Sequence, residues 1–575
     1  AYDKKSQHEL IDDVYRYNNV DFVVQKKFRK FLLNARRFGL SPSEIEGQLD
    51  PEDKRQYHFV KCGVLLYKEF RDWLESEQLM TFSDMITVAN DALTDPATDY
   101  ADQYDHVLVD EFQDVSESNV ELLQNLTAGE AGPRLFCVGD DWQSIYSFQG
   151  SEVEYFVNFE EYFDNATRTA LTMNYRSPPA VIETGRTLIE NNDNQIDKEL
   201  VADAGATATP RLHVLPDERT PAYKQTTGQV AAKRAQRYLQ QDDTDPGDIM
   251  ILCHLDRGAP YLGQIKSELE ERTIPYDGKE DQYRPPAGPY SSLGYQDNGV
   301  TVFSIHQSKG REAEHVIIAN ATDRDDGIPL PDRGNLLDPV KPIDTNSEAE
   351  ARRLFYVAIT RAESTLDICT QRDHRSLFVD EIEECCVEIH QLNSVESDDD
   401  GETVTVEATV SDLADKLADS QHQRGTLADE TGTMSFLIWE DTDVPTLEEG
   451  RRYLFEDVCV NKYQGRVELR LDDTTAVTAT GTPNATEDTG PADTIVKGEV
   501  QTLFDETHDK ICQKGILWDG SDEYVLTTWE SNDPPTLHEG NEYRFVNPRF
   551  DEYRGQAQLE VGRETRIETV RANQR

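Results

Sequence analysis

The chain has little that could staple it or anchor it. Its eight cysteines, at positions 62, 137, 253, 369, 385, 386, 459 and 512, include no C-x-x-C pair, and no histidine cluster lies beside them. That argues against a zinc site and against a disulfide framework. No apolar run approaches the roughly 18 residues of a membrane-crossing helix. The opening residues AYDKKSQHEL contain no apolar stretch of the signal-peptide kind. No membrane partner is expected, and the expected compartment is the cytoplasm. Positive charge is scarce: 57 Lys plus Arg face 111 Asp plus Glu, the net charge is −54, and only 20 of the 57 are lysine. A disordered acidic chain would be poor in aromatics. With 24 Tyr, 21 Phe and 5 Trp, packed domains with an acidic, solvated surface suited to molar salt fit better, which is the halophilic expectation.

At 575 residues, 37% of them hydrophobic, the chain has room for roughly three to five domains. Residues 1–75 read as mainly helical. Phe28, Phe31, Leu32 and Ala35 make an i, i+3, i+4, i+7 face. Lys26, Lys27, Arg29, Lys30, Arg36 and Arg37 surround it, and no acid occurs from Phe22 to Ser43. An ordinary amphipathic helix and a contact with DNA phosphates both explain that island. From about 80 to 380, short apolar strands alternate with helical stretches. The strand candidates are 107–109, 135–138, 249–252, 300–302 and 316–318, so parallel α/β sheets are expected. Ligands are expected at strand C-terminal ends. The acidic stretch SVESDDDGE at 394–402 reads as a break. Beyond it WEDTDVPTLEEG (439–450) and WESNDPPTLHEG (529–540) agree at 8 of 12 positions. The spacing makes 403–480 and 493–570 two copies of one small β module, joined by the linker GTPNATEDTGPAD.

Five motifs stand in order between these regions: HVLVDEFQD, VGDDWQSIYSFQG, LTMNYRS, VFSIHQSKGREAEHVII and EARRLFYVAITRA. A buried strand ending in Asp-Glu suits nucleotide hydrolysis. Asp110 can hold Mg²⁺, and Glu111 can orient or deprotonate the attacking water. Taken together, the motifs resemble the UvrD/Rep family of superfamily 1 DNA helicases, with DEFQD and GDDWQSIY closest to its helicase IV branch. The resemblance covers residues 80–375.

That resemblance implies two RecA-like motor domains, 76–178 (partial) and 179–393, with 1–75 as a helical insertion of the first. It implies ATP and Mg²⁺ as cofactors. Glu111, Gln143, Arg176 and Arg361 match catalytic positions, Gln143 as γ-phosphate sensor and the two arginines as stabilisers of departing phosphoryl charge. Asp110, Tyr175 and Glu312 match cofactor contacts, Tyr175 stacking on adenine and Glu312 meeting the ribose. Tyr146, Phe148, His306 and Ser308 match DNA contacts. Lys309 is a further phosphate candidate, and Asp84 in TFSDMI resembles the family's FDDL-type segment. The sequence departs from the pattern at Gln149, where the family usually has arginine.

The phosphate loop GxxxxGK[ST] is missing from these 575 residues. The one Gly-Lys pair is Gly278-Lys279, followed by Glu280. A sequence that begins after the loop and a degenerate paralogue both account for this. The accessory insertion after Ile274-Pro275-Tyr276 is also nearly absent. The β modules resemble the OB-folds of replication-protein-A-like proteins. In them Trp439 and Trp529, with Phe436, Tyr463 and Tyr553, are candidates for base stacking or for the core. The leading expectation is an ATP-dependent 3′–5′ helicase or translocase on single-stranded DNA and DNA junctions. It would work with repair or replication proteins and associate with the nucleoid. The rival is a non-hydrolysing DNA-binding scaffold derived from a helicase.

Overall fold

The structure is a computed structural model. It describes residues 22–49, 52–95, 104–128, 134–202, 209–217, 222–241, 244–254, 260–279, 281–284, 298–330, 336–340, 347–414, 421–439, 442, 444–463, 466–480, 495–504, 511–518, 523–529, 536–546, 549–553, 556–561 and 566–571. The chain divides into two compact units. One comprises Ala1–Met173, Ile189–Leu200 and Pro331–Val357; the other comprises Asn174–Leu188, Val201–Leu330 and Ala358–Arg575. Each unit therefore draws on more than one stretch of the chain.

In the first unit the helix Phe22–Arg37 buries Phe28, Phe31, Leu32 and Ala35, the four residues of the expected face. They pack on Phe59, Val60, Val64 and Tyr67 of the helix Lys54–Ser76. Arg36 leaves the basic island to pair with Asp84 at 2.6 Å, which ties the TFSDMI segment to this helix. A second core forms beneath two parallel strands, His106–Val109 and Arg134–Cys137, in register from His106↔Arg134 to Val109↔Cys137. Phe112, Val115, Val120 and Leu123 lie at its centre.

The second unit is built on parallel strands. In sheet order they are Val387–His390, Arg211–Leu215, Ala362–Gln371, Ala313–Ile318, Ile249–Cys253, Val300–Ser304 and Tyr276–Asp277. Ile249–Cys253 is buried along its whole length, as a parallel strand covered on both faces must be. The helices Ala222–Tyr238 and Pro260–Glu271 supply part of that cover. Tyr276 pairs directly with Val300, so the short accessory connection joins neighbouring strands.

The expected break at 394–402 is ordered. It folds as two tight turns, Leu392–Ser394 and Ser397–Asp399. Arg372 grips the Asp399 carboxylate with two bonds of 2.7 Å. The sheet then continues into the first β module through His390↔Val406. That module is a closed five-stranded barrel. Numbered within it, Thr403–Leu413, Gln421–Ala428, Thr433–Trp439, Arg452–Tyr463 and Arg466–Leu471 pair in the order 1-2-3-5-4-1. This is the Greek-key barrel of an OB-fold.

The second module repeats it with an offset of 90 residues. Among the described residues, the core cluster of Val500, Leu517, Leu526, Leu537, Tyr543, Phe545, Leu559 and Val561 has a counterpart for each member in the first core. The repeated Trp-to-Gly segment is explained by its clamps. Gln423 holds the Leu447 backbone with bonds of 2.9 and 2.7 Å, and Gln513 holds Leu537 with the same pair of distances. Gly450 and Gly540 close the loop at φ 78° and 75°, where a side chain would be strained.

The first barrel is welded to the parallel sheet by buried charge. Arg234 reaches Glu407 of the barrel at 2.9 Å and Asp367 of the sheet at 3.3 Å. Arg452 approaches Glu407 at 3.4 Å, and His213 bonds Asp367 at 2.7 Å. Burial alone would raise both carboxyls. For Glu407, Arg452, Arg237 and Arg234 outweigh it; for Asp367, Arg234 and His213 do. Both are held well below the ordinary carboxylate range. Depressed carboxylates stabilise the fold at neutral pH, and that contribution is lost as pH falls below the ordinary Asp and Glu range. Removing Arg234 takes a shared cation from two buried anions, so Arg234→Ala is expected to cost about 3–5 kcal/mol at pH 7. Urea unfolding followed by circular dichroism checks this, and a loss below about 1 kcal/mol would contradict it.

Candidate functional site

Asp110 follows the strand His106–Val109, and Asp140 lies three residues beyond the strand Arg134–Cys137. Because the strands are parallel and in register, both carboxylates emerge at the same edge. Asp110 and Glu111 are exposed there. Asp110 Oδ1 accepts the Glu111 N–H at 2.9 Å. Glu111 adopts φ 52° and ψ 42°, a left-handed conformation that costs a non-glycine residue about 1–3 kcal/mol. Gln113 offsets that cost. Its Nε2 donates to Glu111 Oε2 at 2.5 Å, and its Oε1 accepts the Asp140 N–H at 2.9 Å. A Cβ on Gly139 would collide with Gln113 Oε1 and Phe156, so glycine is what lets the two strand ends approach.

Gln143 Nε2 donates to Asp140 Oδ2 at 2.8 Å. Lys198 pairs with Asp140 at 2.6 Å and also with the buried Asp141, and its ammonium lies 4.8 Å from the Trp142 ring centre. Past Gln143 the chain is fixed by two bonds: Arg353 Nε donates to the Ser144 carbonyl at 2.8 Å, and the Ser147 N–H donates to Glu350 at 2.9 Å. Tyr146 and Phe148 follow as an edge-to-face pair with centroids 5.9 Å apart. Phe148 is 49% exposed, so it is presented rather than packed away.

In the second unit Arg176 Nε pairs with Glu312 Oε2 at 2.6 Å. Asn174 Oδ1 accepts from the backbone of Arg176 and Ser177 at 2.8 and 3.0 Å, fixing the turn. Tyr175 is 79% exposed, an open aromatic face. Arg361 is buried and donates to the Arg311 carbonyl at 2.9 Å. Glu312 and Arg361 immediately precede the paired strands Ala313–Ile318 and Ala362–Gln371. They stand at strand N-terminal ends, whereas Asp110 follows the end of its strand. His306 does follow a strand, Val300–Ser304. Burial first, and His254 second, lower its pKa to about 4, leaving a neutral imidazole at pH 7. Ser308 is fully buried and donates to the Ile305 carbonyl at 2.7 Å, so its hydroxyl closes a turn.

Of the barrel candidates, Trp439 is half-buried. Phe436 lies in the core, which removes it from the stacking candidates. The side chains of Trp529, Tyr463 and Tyr553 lie outside the described residues.

Residues 1–164 match the UvrD/REP helicase N-terminal domain, and residues 291–373 match the UvrD-like helicase C-terminal domain. The chain belongs to the UvrD/Rep helicase family. DNA helicase IV of Escherichia coli is 28% identical over 323 residues, 56% of this chain and 41% of that protein. DNA helicase II of the same organism is 30% identical over 175 residues, 30% of this chain and 23% of that protein. The chain thus spans less than half the length of these relatives. An OB domain of Methanosarcina mazei aligns at 27% identity over 17% of this chain and 86% of its own, with a TM-score of 0.16. The strand order, rather than that likeness, identifies the barrels.

Within this UvrD/Rep frame, reasoning from sequence passed over Gln113 and Lys198. Gln113 sits inside the quoted DEFQD motif, yet only the fold brings it to Asp140. Lys198 carries no motif, and its sole signal was rarity in a lysine-poor chain. Gln113→Ala is expected to let Glu111 relax. It should lower DNA-stimulated ATP turnover about 10- to 100-fold, as loss of an orienting partner does, with KM for nucleotide unchanged. Steady-state kinetics checks this, and a rise in KM at constant kcat would contradict the positioning role.

Proposed function

We propose that this chain carries the motor chemistry of an ATP-dependent helicase or translocase on single-stranded DNA, moving 3′ to 5′ and serving DNA repair or replication. The observation that supports it most is the strand-end cluster of Asp110, Glu111, Gln113, Asp140 and Gln143 in a UvrD/Rep chain. Mg²⁺ suits Asp110, an exposed hard oxygen donor whose neighbour Asp140 is already committed to Lys198. An adenine suits the open ring of Tyr175. When bound, Mg·ATP supplies the phosphoryl group. Glu111 then orients and deprotonates water, and Gln143 reads the terminal phosphate. Arg176 and Arg361 provide positive charge, Arg176 by exchanging its Glu312 partner. Tyr146 and Phe148 offer apolar faces to bases, and the neutral His306 suits a base edge better than a phosphate. Asp140 and Gln143 lie only a few residues from Tyr146, a short path between nucleotide chemistry and DNA. The acidic surface suits molar salt.

The test is phosphate release in molar KCl with Mg²⁺, with and without single-stranded DNA. Turnover stimulated by DNA, and reduced about 10²- to 10⁴-fold by Glu111→Gln, is expected for loss of a general base. DNA binding without any hydrolysis would favour the non-hydrolysing scaffold reading, which the missing GxxxxGK[ST] loop motivates.

A further inference from the structure

Tyr146 is carried between two residues that one helix holds. The helix Ser347–Ile359 places Glu350 and Arg353 three positions apart, so they lie on one face. Ser144 and Ser147 are also three apart, and the two spacings match. Arg353 Nε donates to the Ser144 carbonyl at 2.8 Å. Glu350 Oε1 accepts the Ser147 N–H at 2.9 Å, and its Oε2 accepts the Ser147 hydroxyl. Tyr356, three positions further along the helix, meets the Trp142 ring edge to face with centroids 5.5 Å apart. All of these residues belong to the first unit.

The three contacts differ in kind. Ser144 and Trp142 are buried, so Arg353 and Tyr356 act on the core of the segment. Ser147 is half-buried and stands directly between Tyr146 and the exposed Phe148. It offers two donors there, the backbone N–H and the hydroxyl, and the Glu350 carboxylate takes both. A two-point grip of this kind fixes the orientation of the turn as well as its position. The far end is pinned too. The Ser151 hydroxyl donates to the Tyr146 carbonyl at 2.9 Å. Gly150 turns at φ 87°, where a Cβ would stand 3.0 Å from Phe38. The backbone around both rings is therefore held, while the Phe148 ring stays open. An aromatic on a held backbone has less freedom to lose when a base stacks on it. Glu350 also balances charge: burial lowers the pKa of Arg353, and Glu350 and Asp141 oppose that shift.

We propose that Glu350 is a positioning residue for single-stranded DNA, one that sets Tyr146 and Phe148 to stack on bases without itself touching the strand. The inference rests on reading those two aromatics as base contacts. It asks nothing of the hydrolytic pair Asp110 and Glu111.

The test titrates the full 575-residue chain into an oligothymidylate with 2-aminopurine at alternate positions, whose fluorescence falls when its bases stack. Tyr146→Ala with Phe148→Ala is expected to weaken binding about fivefold or more and to remove part of the quench, as loss of base stacking requires. Glu350→Ala should weaken binding at least about threefold and reduce the same part of the quench. Added to the variant lacking both rings, it should cost less than about twofold more, because it acts through them. Glu350→Gln keeps an acceptor for the Ser147 N–H and should bind within about twofold of the unmodified chain. Ser147→Ala removes the hydroxyl yet leaves Arg353 its charged neighbour, so it should give a smaller loss of the same kind even where Glu350→Ala does not fold. Circular dichroism of each variant checks the fold. Unchanged binding in Glu350→Ala and Ser147→Ala overturns the inference, and so does a Glu350→Gln loss equal to that of Glu350→Ala. A full further loss in the variant without the rings, or no loss from removing the rings, overturns it as well. Each of these leaves the single-stranded-DNA reading intact. No binding of the oligothymidylate by the unmodified chain overturns both.

Discussion

Parallel register between two short strands decides where the chemistry of the first unit lies. With Val109 opposite Cys137, the chain must leave the sheet twice at one edge. Polar residues that follow the strands are then neighbours whatever their separation in sequence. Gln113 converts that proximity into order by bonding Glu111 and Asp140 at once. The left-handed backbone at Glu111 persists because the two strands, the Gly139 approach and Gln113 together fix it. Leu108, on the sheet face away from the core, is 73% exposed, so the order at this edge comes from hydrogen bonds rather than from burial on both sides.

The second unit uses its parallel sheet differently. His306 follows one strand, while Glu312 and Arg361 precede two others. The eight residues from Ile305 to Glu312 therefore cross from one edge of the sheet to the opposite edge. A DNA-facing candidate and two nucleotide-facing candidates are linked through this one segment and the strand beside it. The same sheet runs on into the first barrel, where Arg234 binds an anion on either side of the junction. Buried charges of this kind add little net stability against an apolar alternative. Their effect is to fix one geometry, so the barrel is an extension of the sheet and not a tethered module.

Much of this was legible in the sequence because it rests on local pattern. The helical face of Phe28, Phe31, Leu32 and Ala35 obeys a period that packing preserves. The strands ending near Asp110 and Asp140 are short apolar runs and do form, although Leu108 and Phe136 on their outer face are exposed rather than buried. The 90-residue repeat survives in core positions and in the clamps at Gln423 and Gln513. What escaped notice depends on contacts distant in sequence. Gln113, Lys198 and Arg234 are polar residues whose partners lie 27, 58 and 173 positions away, and no periodicity announces such pairs. The acidic stretch at 394–402 reads as a loop-like break by composition, yet Asp399 is held by Arg372. Phe436 looked available for stacking because a barrel strand alternates its faces, and composition does not reveal which parity faces inward.

On the proposed function, Glu111 acts under the control of Gln113, as one unit at the strand ends. A double-mutant cycle on single-turnover phosphate release, with Glu111→Gln, Gln113→Ala and the pair, tests it most directly. The double variant is expected to be no slower than Glu111→Gln alone, because Gln113 works only through the carboxylate it positions. Losses that multiply would show two independent contributions and contradict it.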